Sequence, residues 1–251
     1  MRLLSAAVLA FFATAGHAVA QEITGAEYAG PTRDYPHGVL GDDEEWSALS
    51  IEVRRQRGSE GSLFQGHLTL TYNIDAPENM VFEDTAPRLW DITGDGSPEV
   101  VVVLSHQNYG AQLAVIGLVD GELSYIASTP TIGTRFRWLA PVGAADFDED
   151  GHIEIAFVDR PHLARTLRVW RYTPNGFGEI ATLPGVTNHR IGEDFISGGV
   201  RDCGDGPEMI VADAKWRSVQ AVRLTNAGLS ARPLKAPATG EGFADALACR
   251  E

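Results

Sequence analysis

Two acidic nonapeptides one period apart limit what this chain can become. Asp91-Ile92-Thr93-Gly94-Asp95-Gly96-Ser97-Pro98-Glu99 runs into the apolar stretch Val100 to Leu104. Fifty-five residues later, Asp146-Phe147-Asp148-Glu149-Asp150-Gly151-His152-Ile153-Glu154 runs into Ile155 to Val158. The same step again reaches Asp205-Gly206, with Glu208 to Val211 following one residue early, and a step back from Asp95 reaches Leu40, beside Gly41-Asp42-Asp43-Glu44. A fixed period of this length means stacked supersecondary units, each burying its apolar face on the next. The units lie near 36–90, 91–145, 146–200 and 201–251.

One unit read in detail gives the plan of all. Pro141 to Ala145 leads into the acidic turn and Glu154 to Val158 leaves it; Thr166 to Tyr172 and Glu179 to Leu183 follow, the last after Pro174-Asn175-Gly176. These segments are rich in β-branched and aromatic residues and bounded by Gly, Pro, Asn and Asp, so they read as short strands. Four strands per repeat is the plan of a propeller blade. The chain is therefore expected to be all-β, a small β-propeller of about four blades over residues 21–251, with a β-sandwich as the alternative. Gly242 to Ala248 resembles the start of another repeat and is expected to supply a closing strand.

The turns carry their own chemistry. Oxygens at positions 1, 3, 5, 7 and 9 of a tight turn, with Gly at 6, wrap a hard cation, and calcium is the candidate. In the second turn Asp146, Asp148, Asp150, the carbonyl of His152 and Glu154 fill those positions; in the first, Asp91, Thr93, Asp95, Ser97 and Glu99 do so with a hydroxyl at position 3. The third copy has Arg201 at position 1 and Cys203 at position 3, so a guanidinium is expected to replace the cation there. The ordinary explanation, that Asp-Gly pairs simply favour turns, stays open, above all for Asp42 to Glu45.

The pattern Asp146 to Gly151 followed by Glu154-Ile155-Ala156, approached through Val142-Gly143-Ala144-Ala145, resembles FG-GAP/VCBS-type repeats of integrin-like β-propellers and a group of exported bacterial VCBS-repeat proteins. The resemblance implies a propeller with structural calcium in the turns, bound through the first, third, fifth, seventh and ninth positions. The chain departs from that pattern at Thr93, Arg201, Cys203 and Asp42 to Glu44.

Residues 1–20 combine a basic Arg2, an apolar run from Leu3 to Ala15 and the small-x-small site Ala18-Val19-Ala20, which together read as a secretory signal peptide. The mature chain is then expected to be periplasmic or secreted, with no membrane span left after cleavage. In an oxidising compartment Cys203 and Cys249 are expected to pair. A formal charge of −14 repels nucleic acid and anionic lipid surfaces.

Loops at equivalent places in the repeats carry Arg135, Arg137 and Trp138, then Arg160 and His162, then His189 and Arg190. Gathered on one propeller face, Arg135, Arg137, Arg160, His162, His189 and Arg190 suit an anionic or carbohydrate ligand, or a protein partner. The alternative is that these arginines pair with Asp residues between blades. His-x-x-x-His, Cys-x-x-Cys and Gly-x-Ser-x-Gly are absent, which argues against an enzyme. The function expected is an exported calcium-binding propeller that acts as a binding module. The alternative is a hydrolase or lyase with structural calcium and a His/Arg-lined channel.

Overall fold

The computed structural model describes residues 21–57 and 66–250; the expected signal segment, 1–20, lies outside the described residues. The chain folds as successive antiparallel β layers. A meander of β1 (Gln21–Thr32), β2 (Glu45–Arg57) and β3 (Gly66–Asp75) comes first. It is joined at one corner, through the Trp46–Phe82 pair, to the sheet of β4 (Met80–Phe82), β5 (Arg88–Trp90), β6 (Glu99–His106), β7 (Gly110–Val119) and β8 (Glu122–Ser128). The second sheet is β9 (Leu139–Ala145), β10 (Glu154–Asp159), β11 (Thr166–Thr173) and β12 (Gly176–Pro184). The third is β13 (Val186–Thr187), β14 (Gly199–Asp202), β15 (Pro207–Asp213), β16 (Val219–Thr225) and β17 (Gly228–Pro233).

This is the propeller plan, with the acidic turns joining β5 to β6, β9 to β10 and β14 to β15. The strand expectation for residues 141–183 matches β9 to β12 to within two or three residues at each end. Among the described residues the sheets number three, because residues 36–90 form no separate sheet. β1 to β3 instead lie across the first sheet as a fourth layer, with Ile23, Leu49, Ile51 and Val53 packed on Val100, Val102, Ala114 and Ile116. The first and second sheets enclose Val101, Val103, Leu113, Leu139, Ile155 and Phe157. The second and third enclose Val142, Ala156, Val158, Met209, Val211 and Val222. Strands β6 and β10 thus have apolar residues on both faces, which is why they read as unbroken hydrophobic runs. The second and third sheets meet closely at Gly143, where a Cβ would stand 2.3 Å from Val200 Cγ2.

The expected closing strand at Gly242 to Ala248 is instead a helix, α1 (Gly240–Leu247). Thr239 caps it by accepting from the Gly242 amide at 3.2 Å, and Phe243 and Ala246 pack on Ile210, Ala212, Val219 and Ala221 of the third sheet. The helix covers the free face of that sheet, so the face has an apolar partner without a further strand.

Cys203 and Cys249 form the expected disulfide, which ties the third acidic turn to the end of α1 across 46 residues. On the loop-entropy argument the bond stabilises the fold by about 2–4 kcal/mol. Thermal unfolding of the Cys203→Ser/Cys249→Ser variant should show that loss, and an unchanged melting temperature would count against it.

Candidate functional site

The inner strands of the first and third sheets are broken. β4 and β5 pair with opposite ends of β6, leaving Glu83 to Pro87 as a loop, and β13 and β14 divide β15 in the same way around Asn188 to Gly198. The segment between β1 and β2 reaches over both. Gly192 N donates to Val39 O at 3.0 Å, joining the first layer to the third sheet. Beneath this crossing is an open cavity of about 250 Å³, walled by His37, Val39, Phe136, Arg137, Trp138, Arg160, Pro161, His162, Leu163 and Ile191.

Trp138 leads into β9 and forms the back wall, with only 2% of its surface exposed. Its indole N–H donates to Glu83 O at 2.8 Å. The His162 ring lies nearly parallel to it, and His189 meets it edge-on at 4.9 Å between centroids. His162 Nε2 and His189 Nδ1 are 3.0 Å apart, and His189 Nε2 faces Glu193 O at 2.8 Å. Burial, reinforced by His189 and His37, pushes His162 down to about 4, so the ring is neutral at physiological pH. Burial also lowers His189.

His37 Nδ1 lies 2.5 Å from Glu83 Oε1, and Ser105 Oγ donates to the other oxygen of the same carboxylate. Glu83 is fully buried, which pushes its carboxyl upward. Behind it, burial and then Glu83 push Glu45 up to about 9, so Glu45 is protonated at neutral pH. Two wall residues have left-handed backbone, Phe136 (φ 56°) and Arg160 (φ 45°). Each is held by its own amide: Phe136 N donates to the Tyr35 hydroxyl at 2.7 Å and Arg160 N to Trp138 O at 3.0 Å.

Of the six residues expected to bind ligand, Arg137, Arg160 and His162 line the cavity, and His189 supports it through His162. Arg160 is paired with Asp159 through two bonds, of 2.8 and 2.9 Å. Arg137 donates to Phe136 O, and among the described residues no carboxylate pairs with it. Arg135 is turned aside, over the Tyr35 and Phe136 rings and onto Gln107 O. Arg190 is elsewhere, stacked 3.7 Å over Trp216 and bonded to Glu193, because the loop after His189 swings its side chain toward the third sheet. His37 and Glu83 are the residues that the repeat pattern missed. His37 stands in the worn first unit, and nothing in its neighbourhood marks a partner 46 positions away.

The acidic turns are built alike. Asp91 accepts from the amides of Gly94, Asp95 and Gly96, and Asp146 from those of Asp150 and Gly151. Ser97 N and His152 N donate to Asp95 and Asp150. Glu99 accepts from Ile92 and Thr93, and Glu154 from Phe147. Oxygens of Asp146, Asp148 and Glu154 lie within 4.8 Å of one another, the convergence a metal ion needs. The Arg171 guanidinium, however, already binds Asp148, Asp150 and Glu154. As folded, the second turn therefore does not fit calcium. In the third turn Arg201 donates to Glu208 from Nε and Nη2, the guanidinium expected there.

Residues 91–157 match the family model described as FG-GAP-like repeat, a span from the first acidic turn through the second and into β10. No curated protein matches the chain. Among solved structures, the crystal structure of a protein from Lactobacillus plantarum is similar over 75% of this chain, at 10% identity and a TM-score of 0.38. The alignment covers 53% of that protein, so this chain spans about half of its length.

Proposed function

We propose, from the FG-GAP-like repeat that this chain carries, that it is an exported propeller-type binding module holding a small anionic or sugar-like ligand in the cavity lined by His37 and Trp138. One observation carries the reading. Arg137, a guanidinium that pairs with no carboxylate among the described residues, shares an open cavity with an indole wall and a neutral imidazole. Such a site offers charge for an acid group, an aromatic surface for a sugar ring, and hydrogen-bonding nitrogens that carry no charge of their own. Export, to the periplasm or beyond, is supported by the disulfide; no helix of the described residues is long and apolar enough to cross a membrane. Calcium enters this reading at the first turn alone, where no guanidinium of the described residues pairs with Asp91, Asp95 or Glu99.

Calorimetric titration with sulfate, glucuronate and glucose tests the ligand class. The acidic sugar is expected to bind most tightly, and Arg137→Ala to weaken it about 10- to 100-fold, the worth of one charge-assisted hydrogen bond. Equal affinity in wild type and variant would remove the cavity from the proposal.

A second reading, a hydrolase or lyase, rests on the His37–Glu83 pair. A carboxylate on Nδ1 orients an imidazole at a cavity wall, the arrangement of a general base. Turnover of an acidic sugar ester or glycoside that His37→Ala abolishes would favour it.

A further inference from the structure

The three acidic turns differ at one cross-strand position. In the second sheet Arg171 on β11 faces Glu154 on β10. Its Nε donates to Glu154 Oε1 at 2.7 Å, its Nη2 to Asp148 Oδ1 and Oδ2 at 3.0 and 2.9 Å, and its Nη1 lies 2.7 Å from Asp150 Oδ2. The planar fork of one guanidinium thus reaches three of the four carboxylates that a calcium ion would draw on, while Asp146 is engaged by backbone amides. The same place in the third sheet, one step beyond the Met209–Val222 pair, is Arg223, whose Nε donates to Glu208 Oε1 at 3.1 Å. In the first sheet, one step beyond Val100–Ile116, the place belongs to Gly117, where a Cβ would stand 3.1 Å from Glu99 Cγ.

We infer that the second acidic turn is a metal-free counterpart of a calcium turn, in which Arg171 supplies the positive charge and keeps a divalent ion out. A guanidinium and a divalent cation compete for the same oxygens, and the guanidinium is covalently delivered by the neighbouring strand, so it never dissociates. Arg171 therefore decides whether this turn uses calcium. Without it, the turn keeps the full donor set of Asp146, Asp148, Asp150, the His152 carbonyl and Glu154, with nothing to balance the four carboxylates.

The test is calcium titration of the full chain in an Asp95→Ala background, which removes a side-chain ligand from the first turn. The background protein is expected to bind no calcium and to melt at the same temperature in calcium and in chelator. Adding Arg171→Met is expected to create one calcium site and a melting temperature that rises with calcium. Adding Glu154→Gln to that variant is expected to weaken the new site at least tenfold. If the Arg171→Met protein is unfolded in chelator and folds in calcium, the inference also stands. Calcium binding by the background protein that Asp148→Ala removes would overturn it, as would a folded Arg171→Met protein indifferent to calcium. Should Arg171→Met fold under neither condition, the background titration decides, because calcium binding there that Asp148→Ala removes contradicts the inference and its absence agrees.

Discussion

Glu208→Ala is expected to lower the unfolding free energy by about 3–5 kcal/mol, the effect of removing one partner of a buried ion pair. Glu208 is 2% exposed and accepts from Arg201 at 2.8 and 3.1 Å, from Arg223 at 3.1 Å and from Arg232 at 3.0 and 3.2 Å. The three arginines do not count equally. Arg223 and Arg232 are more than a third exposed, so water screens their share. Arg201 is 1% exposed, and without Glu208 its guanidinium keeps a bond to Ala246 O and loses both bonds to this carboxylate. Burial pushes the Glu208 carboxyl up and the three guanidiniums more than offset this, leaving it below the ordinary 4.5.

A lowered acid stabilises the fold at pH above its unfolded value, and that stabilisation is lost as the pH falls through the lowered one. His162 adds to acid lability at a higher pH. Its folded value, near 4, lies below 6.5, so the unfolded chain takes up the proton first and stability falls between those values. Urea unfolding at neutral pH and in acid measures both effects. The wild type should lose stability in acid, and Glu208→Gln should lose less of it below pH 4.5. A loss under 1 kcal/mol for Glu208→Ala at neutral pH would mean that solvent or Arg232 relaxes into the gap.

Trp138→Ala is the second large effect, also about 3–5 kcal/mol, because it empties a space that the surrounding sheets cannot collapse to fill. The indole belongs to the cluster between the first and second sheets, with Val39, Leu113, Leu139 and Phe157, and its N–H donates to the Glu83 backbone carbonyl. Trp138→Phe separates the two contributions. It retains most of the ring and removes the N–H that the Glu83 carbonyl accepts from, for a loss of about 1–3 kcal/mol. Denaturation followed by fluorescence and by far-ultraviolet circular dichroism gives both values, and the alanine variant should also lose binding of an acidic sugar. Equal losses for Phe and Ala would locate the whole effect in the hydrogen bond.

Much of this was legible in the chain. The period of the acidic turns led to the sheets, the alternation of apolar runs and turn residues to β9 to β12, and the two cysteines to their bond. What stayed hidden depends on distance across the fold. Arg171 lies 17 residues beyond Glu154, and their meeting depends on the register of the β10–β11 hairpin. His37 meets Glu83 only because the segment ahead of β2 folds back over the broken inner strands. Helix α1 has eight residues, too few for a helical period to stand out, and its apolar Phe243 and Ala246 look the same in a strand. The N-terminal layer was missed because Asp42 to Glu45 imitates a turn of the repeat while the strands around it belong to a different layer.

The order of strands within each sheet also sets where the molecule gives way. β6, β10 and β15 are closed off from water almost throughout, whereas β3, β8, β12 and β17, at the outer edges, leave much of their surface in solvent. Protection therefore runs from the axis outward. Peeling starts at the perimeter and must pass three strands before it disturbs the cavity, so the chain can exchange or lose its rim and still hold the loops around Trp138 in place. Damage at the circumference and recognition at the hub are mechanically decoupled.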